Sequence, residues 1–375
     1  MVNGWRECEY MAGRILNFFA GGNTARGFYS LYDSSLQGLS RLFILKGGPG
    51  TGKSSLMKKI GNEWQEKGYD IQFLHCSSDN KSIDGVLIPE LNAGIVDGTA
   101  PHVIEPKAPG AVEEYINLGE AWNSRKLQEH KETITELTEK ISGAFNTAYS
   151  LFAEALRIHD EWEKIYIENM DFEKANGLTN RLIESFFGDS RSETGNGRVY
   201  DRFLGAATPA GAVDFVPNLT ETVGKRYFIK GRPGSGKSTM LKKLAAEAQS
   251  RGYDVEVYHC GFDPHSLDMV IVRELDFAIF DSTAPHEYFP ERETDEIIDM
   301  YDELITPGTD ERYAAEIKDV GGRYKDKMNE AIASLANAKE LRDQLEAIYI
   351  EAMDFAKVDE LTGKIKKEFE KLGAI

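Results

Sequence analysis

Two ten-residue stretches could carry the same chemistry: KGGPGTGKSS at 46–55 and KGRPGSGKST at 230–239. Each meets the spacing G-x-x-x-x-G-K-[ST], through Gly47, Gly52, Lys53 and Ser54 and through Gly231, Gly236, Lys237 and Ser238. Glycines at that spacing let the backbone curl so that successive N–H groups point inward at phosphate oxygens. A helix that follows presents its positive end to the same phosphates. The lysine reaches the β- and γ-phosphates, and the hydroxyl takes one position on Mg²⁺. The expected cradles are Gly47, Gly48, Pro49, Gly50, Thr51, Gly52, Lys53, Ser54 and Ser55, and Gly231, Arg232, Pro233, Gly234, Ser235, Gly236, Lys237, Ser238 and Thr239. Neither stretch has lost its lysine or hydroxyl, so a dead second site is not indicated.

Such a site needs an acid at the end of a buried strand to hold Mg²⁺, usually through water. Asp97 ends GIVD and Asp281 ends AIFD, so Ser54, Asp97, Ser238 and Asp281 form the expected metal set. The plainer account of these aspartates is turn capping, since D-G-T and D-S-T are turn sequences. Lys53, Asp97, Lys237 and Asp281 are then the expected catalytic residues. The next residue is Gly98 or Ser282, where hydrolytic enzymes of this kind often place a glutamate to orient water. Its absence argues against fast hydrolysis or moves the base elsewhere.

A second acid set lies in HCSSDNKSID and HCGFDPHSLD. Asp79 and Asp263 could accept a proton from a substrate hydroxyl. The blander account is helix N-capping by Ser82/Asp84 and Ser266/Asp268. His102 and His286, both in TAPH, either sense a terminal phosphate or simply pack. His75–Cys76 and His259–Cys260 sit on strands, where neighbours face opposite ways, so they read as structural. GGNTARG (21–27) and GAATPAG (205–211) read either as tight turns or as loops that close over a ligand.

The elements that must position these groups occur twice. Gly231 follows Gly47 by 184 residues, and the same offset relates EKGYDIQFLHC to SRGYDVEVYHC and VDGTAPH to FDSTAPH. IYIENMDF (165–172) and IYIEAMDF (348–355) are 183 apart. The chain reads as a duplicated domain, at 12–187 and 199–375, joined by a polar, Gly/Ser-rich linker at 188–198. RLFILKG and KRYFIKG read as strands entering the loops. The stretches 55–68 and 239–252 read as helices ending at glycine. DGVLIPEL and DMVIVREL read as short helices, and AGIVD and FAIFD as buried strands. Strands alternating with helices predict an α/β fold with parallel sheets, the sheet core ending at about 106 and about 290. The remainder, 111–187 and 291–375, reads as long amphipathic helices, each turning into a shorter one near 175–187 and 358–371. They either pack as antiparallel hairpins or form an arm for a protein partner.

A strand, the glycine loop and a helix in that order resemble the P-loop NTPases. FAGGNT, GGPGTGKS and DGTAPH together resemble a bacterial family of duplicated P-loop ATPases, and the likeness extends over nearly the whole chain. The resemblance implies two tandem P-loop domains that use ATP and Mg²⁺.

The net charge of -18 repels phosphate backbones and anionic surfaces, so neither nucleic acid nor membrane is an expected partner. Cys8, Cys76 and Cys260 show no zinc spacing and suit a reducing compartment. The N-terminal stretch lacks a secretory apolar core, and no apolar run is long enough to span a bilayer, so a cytoplasmic location is expected. The expected function is ATP–Mg²⁺ binding at both loops, with hydrolysis switching the packing of the two repeats. One repeat could offer a positive side chain to the other's γ-phosphate, from among Arg26, Arg41, Arg226, Arg232 and Arg273. The alternatives are a small-molecule or nucleotide kinase, and a nucleotide-sensing scaffold with negligible turnover. Adenine is preferred over guanine only because no N-K-x-D motif is present.

Overall fold

The computed structural model describes residues 12–193 and 195–374; Cys8 lies outside them. In the first half the elements run β1 (Ile15–Phe18), β2 (Gly21–Thr24), β3 (Gly27–Ser30), α1 (Tyr32–Ser35), β4 (Arg41–Lys46), α2 (Lys53–Glu66), β5 (Ile71–His75), β6 (Ile83–Ile88), β7 (Ala93–Asp97) and β8 (Glu113–Asn117). Three helices follow: α3 (Ser124–Glu129), α4 (Lys131–Ile167) and α5 (Phe172–Phe187). The second half runs β9 (Val199–Phe203), β10 (Gly205–Thr208), β11 (Gly211–Asp214), α6 (Val216–Thr220), β12 (Lys225–Lys230), α7 (Lys237–Ser250), β13 (Val255–His259), β14 (Leu267–Val272), β15 (Phe277–Asp281) and β16 (Glu296–Asp299). It ends with α8 (Met300–Leu304), α9 (Thr309–Arg312), α10 (Ala314–Ala352) and α11 (Phe355–Gly373).

The architecture is mixed α/β, with two six-stranded sheets ordered β1-β5-β6-β7-β4-β8 and β9-β13-β14-β15-β12-β16. Three of the five pairings in each sheet are parallel. The other two are antiparallel and involve β6 or β14. This corrects two expectations. DGVLIPEL and DMVIVREL are central strands, not helices; only Pro89–Leu91 and Arg273–Leu275 form 3₁₀ turns. Every residue of β6 and β14 is buried, and apart from Asp84 and Asp268 each run is apolar on both faces, so no alternation marks it as a strand. The sheet core also extends past 106 and 290, because β8 and β16 pair in parallel with β4 and β12 at the sheet edge.

GGNTARG and GAATPAG are the hairpins β2–β3 and β10–β11. One face of each sheet carries the helix that follows its glycine loop. The opposite faces share one core, in which Phe18, Leu74 and Leu87 meet Phe228, Tyr258, Ile271 and Phe280.

The long helices α4 and α10 pack on each other. Ser334 Oγ donates to the Ala144 carbonyl, Lys327 pairs with Glu154 and Arg323 with Glu161. Residue numbers rise along one helix as they fall along the other, so the pair is antiparallel. Beyond them the two halves exchange their last helices. Leu178 and Phe187 of α5 lie in the second core with Leu241, Leu244 and Phe277. Val358, Ile365 and Phe369 of α11 lie in the first core with Phe43, Ile60 and Trp64. Sequence repeat and packed unit therefore differ: 172–187 covers the second sheet and 355–373 covers the first. Among the described residues no helix is long and apolar enough to cross a membrane.

Candidate functional site

β4 runs straight into the first glycine loop, and α2 begins at Lys53. The turn needs glycine at two points, since Gly50 and Gly52 have φ of 69° and 87°. Gly234 and Gly236 repeat this at 75° and 87°. The loop is braced by its own side chains. Thr51 Oγ1 donates to the Gly48 carbonyl at 2.9 Å, and Lys53 Nζ donates to the Gly47 and Gly48 carbonyls at 2.9 and 2.8 Å. Ser54 Oγ accepts the Ile83 N–H at 3.0 Å, which ties the start of α2 to β6. Ser238 Oγ accepts the Leu267 N–H at 3.0 Å in the same way.

The strand-end aspartates face the lysines. Asp97 lies 3.6 Å from Lys53 Nζ, and Asp281 lies 3.2 Å from Lys237 Nζ. Each also accepts from a threonine two residues on: Asp97 from Thr99 N and Oγ1, Asp281 from Thr283 N and Oγ1. Turn capping and a position beside the lysine thus coincide in one carboxylate, which leaves Oδ2 toward the loop. Burial lowers the Lys53 ammonium, and the charge of Arg342 adds to this against the pull of Asp97.

Asp84 lies on β6, one pair beyond Gly85–Val96, and so opposite Asp97. Asp268 stands likewise beside Asp281. Both are buried, and burial raises both carboxyls, Asp268 to about 6. They do not cap helices, because no helix starts there. His102 Nε2 lies 3.3 Å from Asp84 Oδ2 inside a pocket formed with Phe28 and Tyr32. The second copy differs. His286 Nδ1 lies 2.9 Å from Asp214 Oδ2; burial alone would depress this imidazole, but Asp214, Asp268 and Asp281 together hold it above its ordinary value.

Residues lacking metal-type spacing in the chain still converge here: ligand atoms of Cys76, Asp84 and His102 lie within 4.8 Å of one another. Burial pushes the Cys76 thiol well up, which keeps it a proton donor to Asp84. The positive Arg342 beside the cluster opposes a dication there.

The other anticipated residues each have a partner outside the glycine loops. Asp79 accepts from Lys81 N and Ser82 Oγ. Asp263 accepts from Arg26 Nε at 3.0 Å. Arg226 is paired with Asp295, Arg232 with Asp310, Arg273 with Glu256 and Arg41 with Glu114. His75 and His259 are hydrogen-bonded to Asn17 and Asp201, as structural histidines.

Each loop is bounded by the long helix of the other half. A Cβ on Gly48 would sit 2.7 Å from the Tyr349 ring, and one on Gly50 would sit 2.8 Å from the Glu346 carbonyl oxygen. In the second loop, a Cβ on Gly234 would sit 2.5 Å from the Glu163 carbonyl oxygen. Arg342 and Glu346 of α10, with Nε to Oε1 at 3.2 Å, therefore face the first loop. His159 and Glu163 of α4, 3.7 Å apart, face the second. None of these four residues was marked by the motifs. The available signal was the paired IYIE stretches, which follow both glutamates closely.

A nucleotide fits this construction on three counts: the positive-φ glycines, the Lys–Asp pair at the loop and the pinned Ser hydroxyl. The same Ser and Asp pairs, oxygen donors only, suit Mg²⁺. No family model, curated protein or solved structure matches the chain.

Proposed function

We propose that the chain binds ATP–Mg²⁺ at both glycine loops and hydrolyses it, and that hydrolysis changes how α4 and α10 seat on those loops. The observation that carries this reading is the repeated set of glycine loop, lysine and strand-end aspartate, each closed by a helix from the other half. Loop N–H groups and Lys53 or Lys237 would hold the β- and γ-phosphates. Ser54 with Asp97, and Ser238 with Asp281, would hold Mg²⁺, which when bound neutralises charge on the β- and γ-oxygens. With no glutamate after Asp97 or Asp281, further carboxyls beside those aspartates are Asp84 and Asp268, on the neighbouring strands. A carboxyl raised by burial is better suited to take a proton from water than an ordinary one. ATP is the proposed nucleotide on the resemblance alone.

The kinase alternative draws no support from Asp79 and Asp263, whose carboxylates are spent on turns and an ion pair. The test is phosphate release and nucleotide binding by the purified chain, beside Lys53→Ala, Lys237→Ala and the double variant. Inorganic phosphate from the wild type, lost in the double variant, is the expected result. Transfer of phosphate to a metabolite ester instead of water would replace this reading with the kinase. Tight binding without either product would replace it with a nucleotide-sensing scaffold.

A further inference from the structure

The two loops are built alike but are faced by different side chains. On α10 the i, i+4 pair toward the first loop is Arg342–Glu346. On α4 the corresponding pair toward the second loop is His159–Glu163. At the 183-residue offset the glutamates match, as do Asp343 and Asp160, whereas Arg342 stands where the other copy has His159.

Arg342 is half-buried, with its charge close enough to bear on Lys53, Asp84, Asp97 and Cys76. A guanidinium there has five fixed donors and keeps its charge at any ordinary pH. His159 is held against the rings of Phe262 and Tyr324 at 6.1 and 5.5 Å. Burial among them keeps the imidazole below its ordinary range. Arg26, from the first half, is bound to Asp263. The second loop has an arginine of its own, Arg232, but its guanidinium is paired with Asp310 and lies over the Tyr301 ring; on α4, His159 stands where α10 places Arg342.

We propose that the two sites are unequal: the first, completed by Arg342 from the other half, cleaves ATP, while the second, faced by His159, holds its nucleotide and turns over slowly. This rests on the hydrolysis reading above. In the step assigned to the first site, a water oxygen bonds to the γ-phosphorus as the bond to the β,γ-bridging oxygen breaks. ADP leaves with that electron pair, one water proton stays on the released phosphate and the other passes to solvent. Negative charge builds on the bridging and γ-oxygens, where the Arg342 guanidinium lies to meet it. In this role Arg342 contributes to turnover and little to ground-state binding.

The experiment isolates one site at a time. Lys237→Ala leaves the first loop intact and Lys53→Ala leaves the second. Saturating ATP–Mg²⁺ is supplied and phosphate release is followed, with fluorescent ATP-analogue titration for binding. Lys53→Ala is expected to release phosphate about 100-fold more slowly than Lys237→Ala. Adding Arg342→Ala to Lys237→Ala should lower release about 1,000-fold, the low end for an arginine supplied in trans, while analogue affinity changes only a few-fold. Arg323→Ala, about five helical turns from Arg342 along α10, controls for helix damage, and circular dichroism checks folding. Equal rates from the two single-loop variants would overturn the inference, as would release insensitive to Arg342→Ala. Two bound nucleotides with no phosphate release from wild type would instead overturn the hydrolysis reading itself, and this inference with it.

Discussion

Phe369→Ala separates exchanged last helices from helices that cover their own repeat. Phe369 is on α11 in the second half, yet it is fully buried against Phe43 and Trp64 of the first, with both ring centroids at 5.6 Å. Truncating a buried phenylalanine costs about 3–5 kcal/mol through lost transfer energy and the cavity left behind. Two edge-on ring contacts, each worth roughly 0.5–1.5 kcal/mol, place the expected loss in the upper half of that range. The place of the loss decides the matter. Hydrogen exchange read by mass spectrometry should show faster exchange in β4 and α2, by at least about 100-fold for amides that open with that core. Peptides from β12 and α7, more than one core away, should change by less than about threefold.

Phe187→Ala is the mirror experiment. Phe187 lies on α5 in the first half and packs on Tyr253 and Phe277 of the second. Its loss should deprotect α7 and spare α2. If Phe369→Ala deprotects α7 instead, or lowers the urea unfolding free energy by less than about 1 kcal/mol, the exchange is wrong.

Three further outcomes follow from particular contacts. Gly234→Ala places a Cβ at φ 75° and 2.5 Å from the Glu163 carbonyl, so it should strain the loop by more than about 1 kcal/mol and loosen the end of α4, read as faster exchange near Glu163. Arg226→Ala leaves the Asp295 carboxylate, fully buried in the native pair, with only the Glu291 and Arg292 N–H groups, and should cost about 3 kcal/mol in urea unfolding at neutral pH. Because Arg226 holds that carboxyl well below its ordinary 3.8, the stabilisation is full above that value and the gap to wild type closes as pH falls below it. Burial lowers His75 from 6.5 to about 4, so the native state takes up its proton later than the unfolded chain; stability should fall as pH drops across that window, and His75→Gln should flatten the slope.

What the sequence made legible was local. The glycine loops, their lysines and the strand-end aspartates lie within short stretches whose chemistry depends on spacing alone, and the structure brings Lys53 to Asp97 and Lys237 to Asp281. β6 was hidden because a run buried on both faces, apolar but for Asp84, has no period to read. β8 was hidden for the opposite reason: Glu113, Glu114 and Asn117 make an edge strand look like the polar start of a helix. The exchange of α5 and α11 could not be read at all. Both follow nearly identical IYIE stretches, so by pattern either helix suits either sheet. Only the path of α4 and α10 across the molecule decides which one it reaches. Arg342 escaped for the same reason, since its neighbour Lys53 lies far away in sequence and the arginines near the motifs turned out to be paired elsewhere.

That path also bears on how the proposed sites would communicate. Glu346 and Tyr349 touch the first loop near one end of α10, and Glu163 touches the second near the end of α4. Between these ends the two helices are packed antiparallel around Ala148, Phe152, Ala331 and Leu335, so neither can slide without the other. A ligand moves such a pair only if it binds one seating of the helices better than another. A nucleotide bound as proposed would meet that condition at the first loop, because α10 would present a guanidinium and a carboxylate to its phosphates and a shift of the helix would move both. The same pair of helices would then carry the change to Glu163 and Gly234. Coupling of this kind is reciprocal in binding free energy even where two sites differ in turnover, so the proposed unequal pair could still act as a switch, with the slow site setting the seating in which the fast one would work.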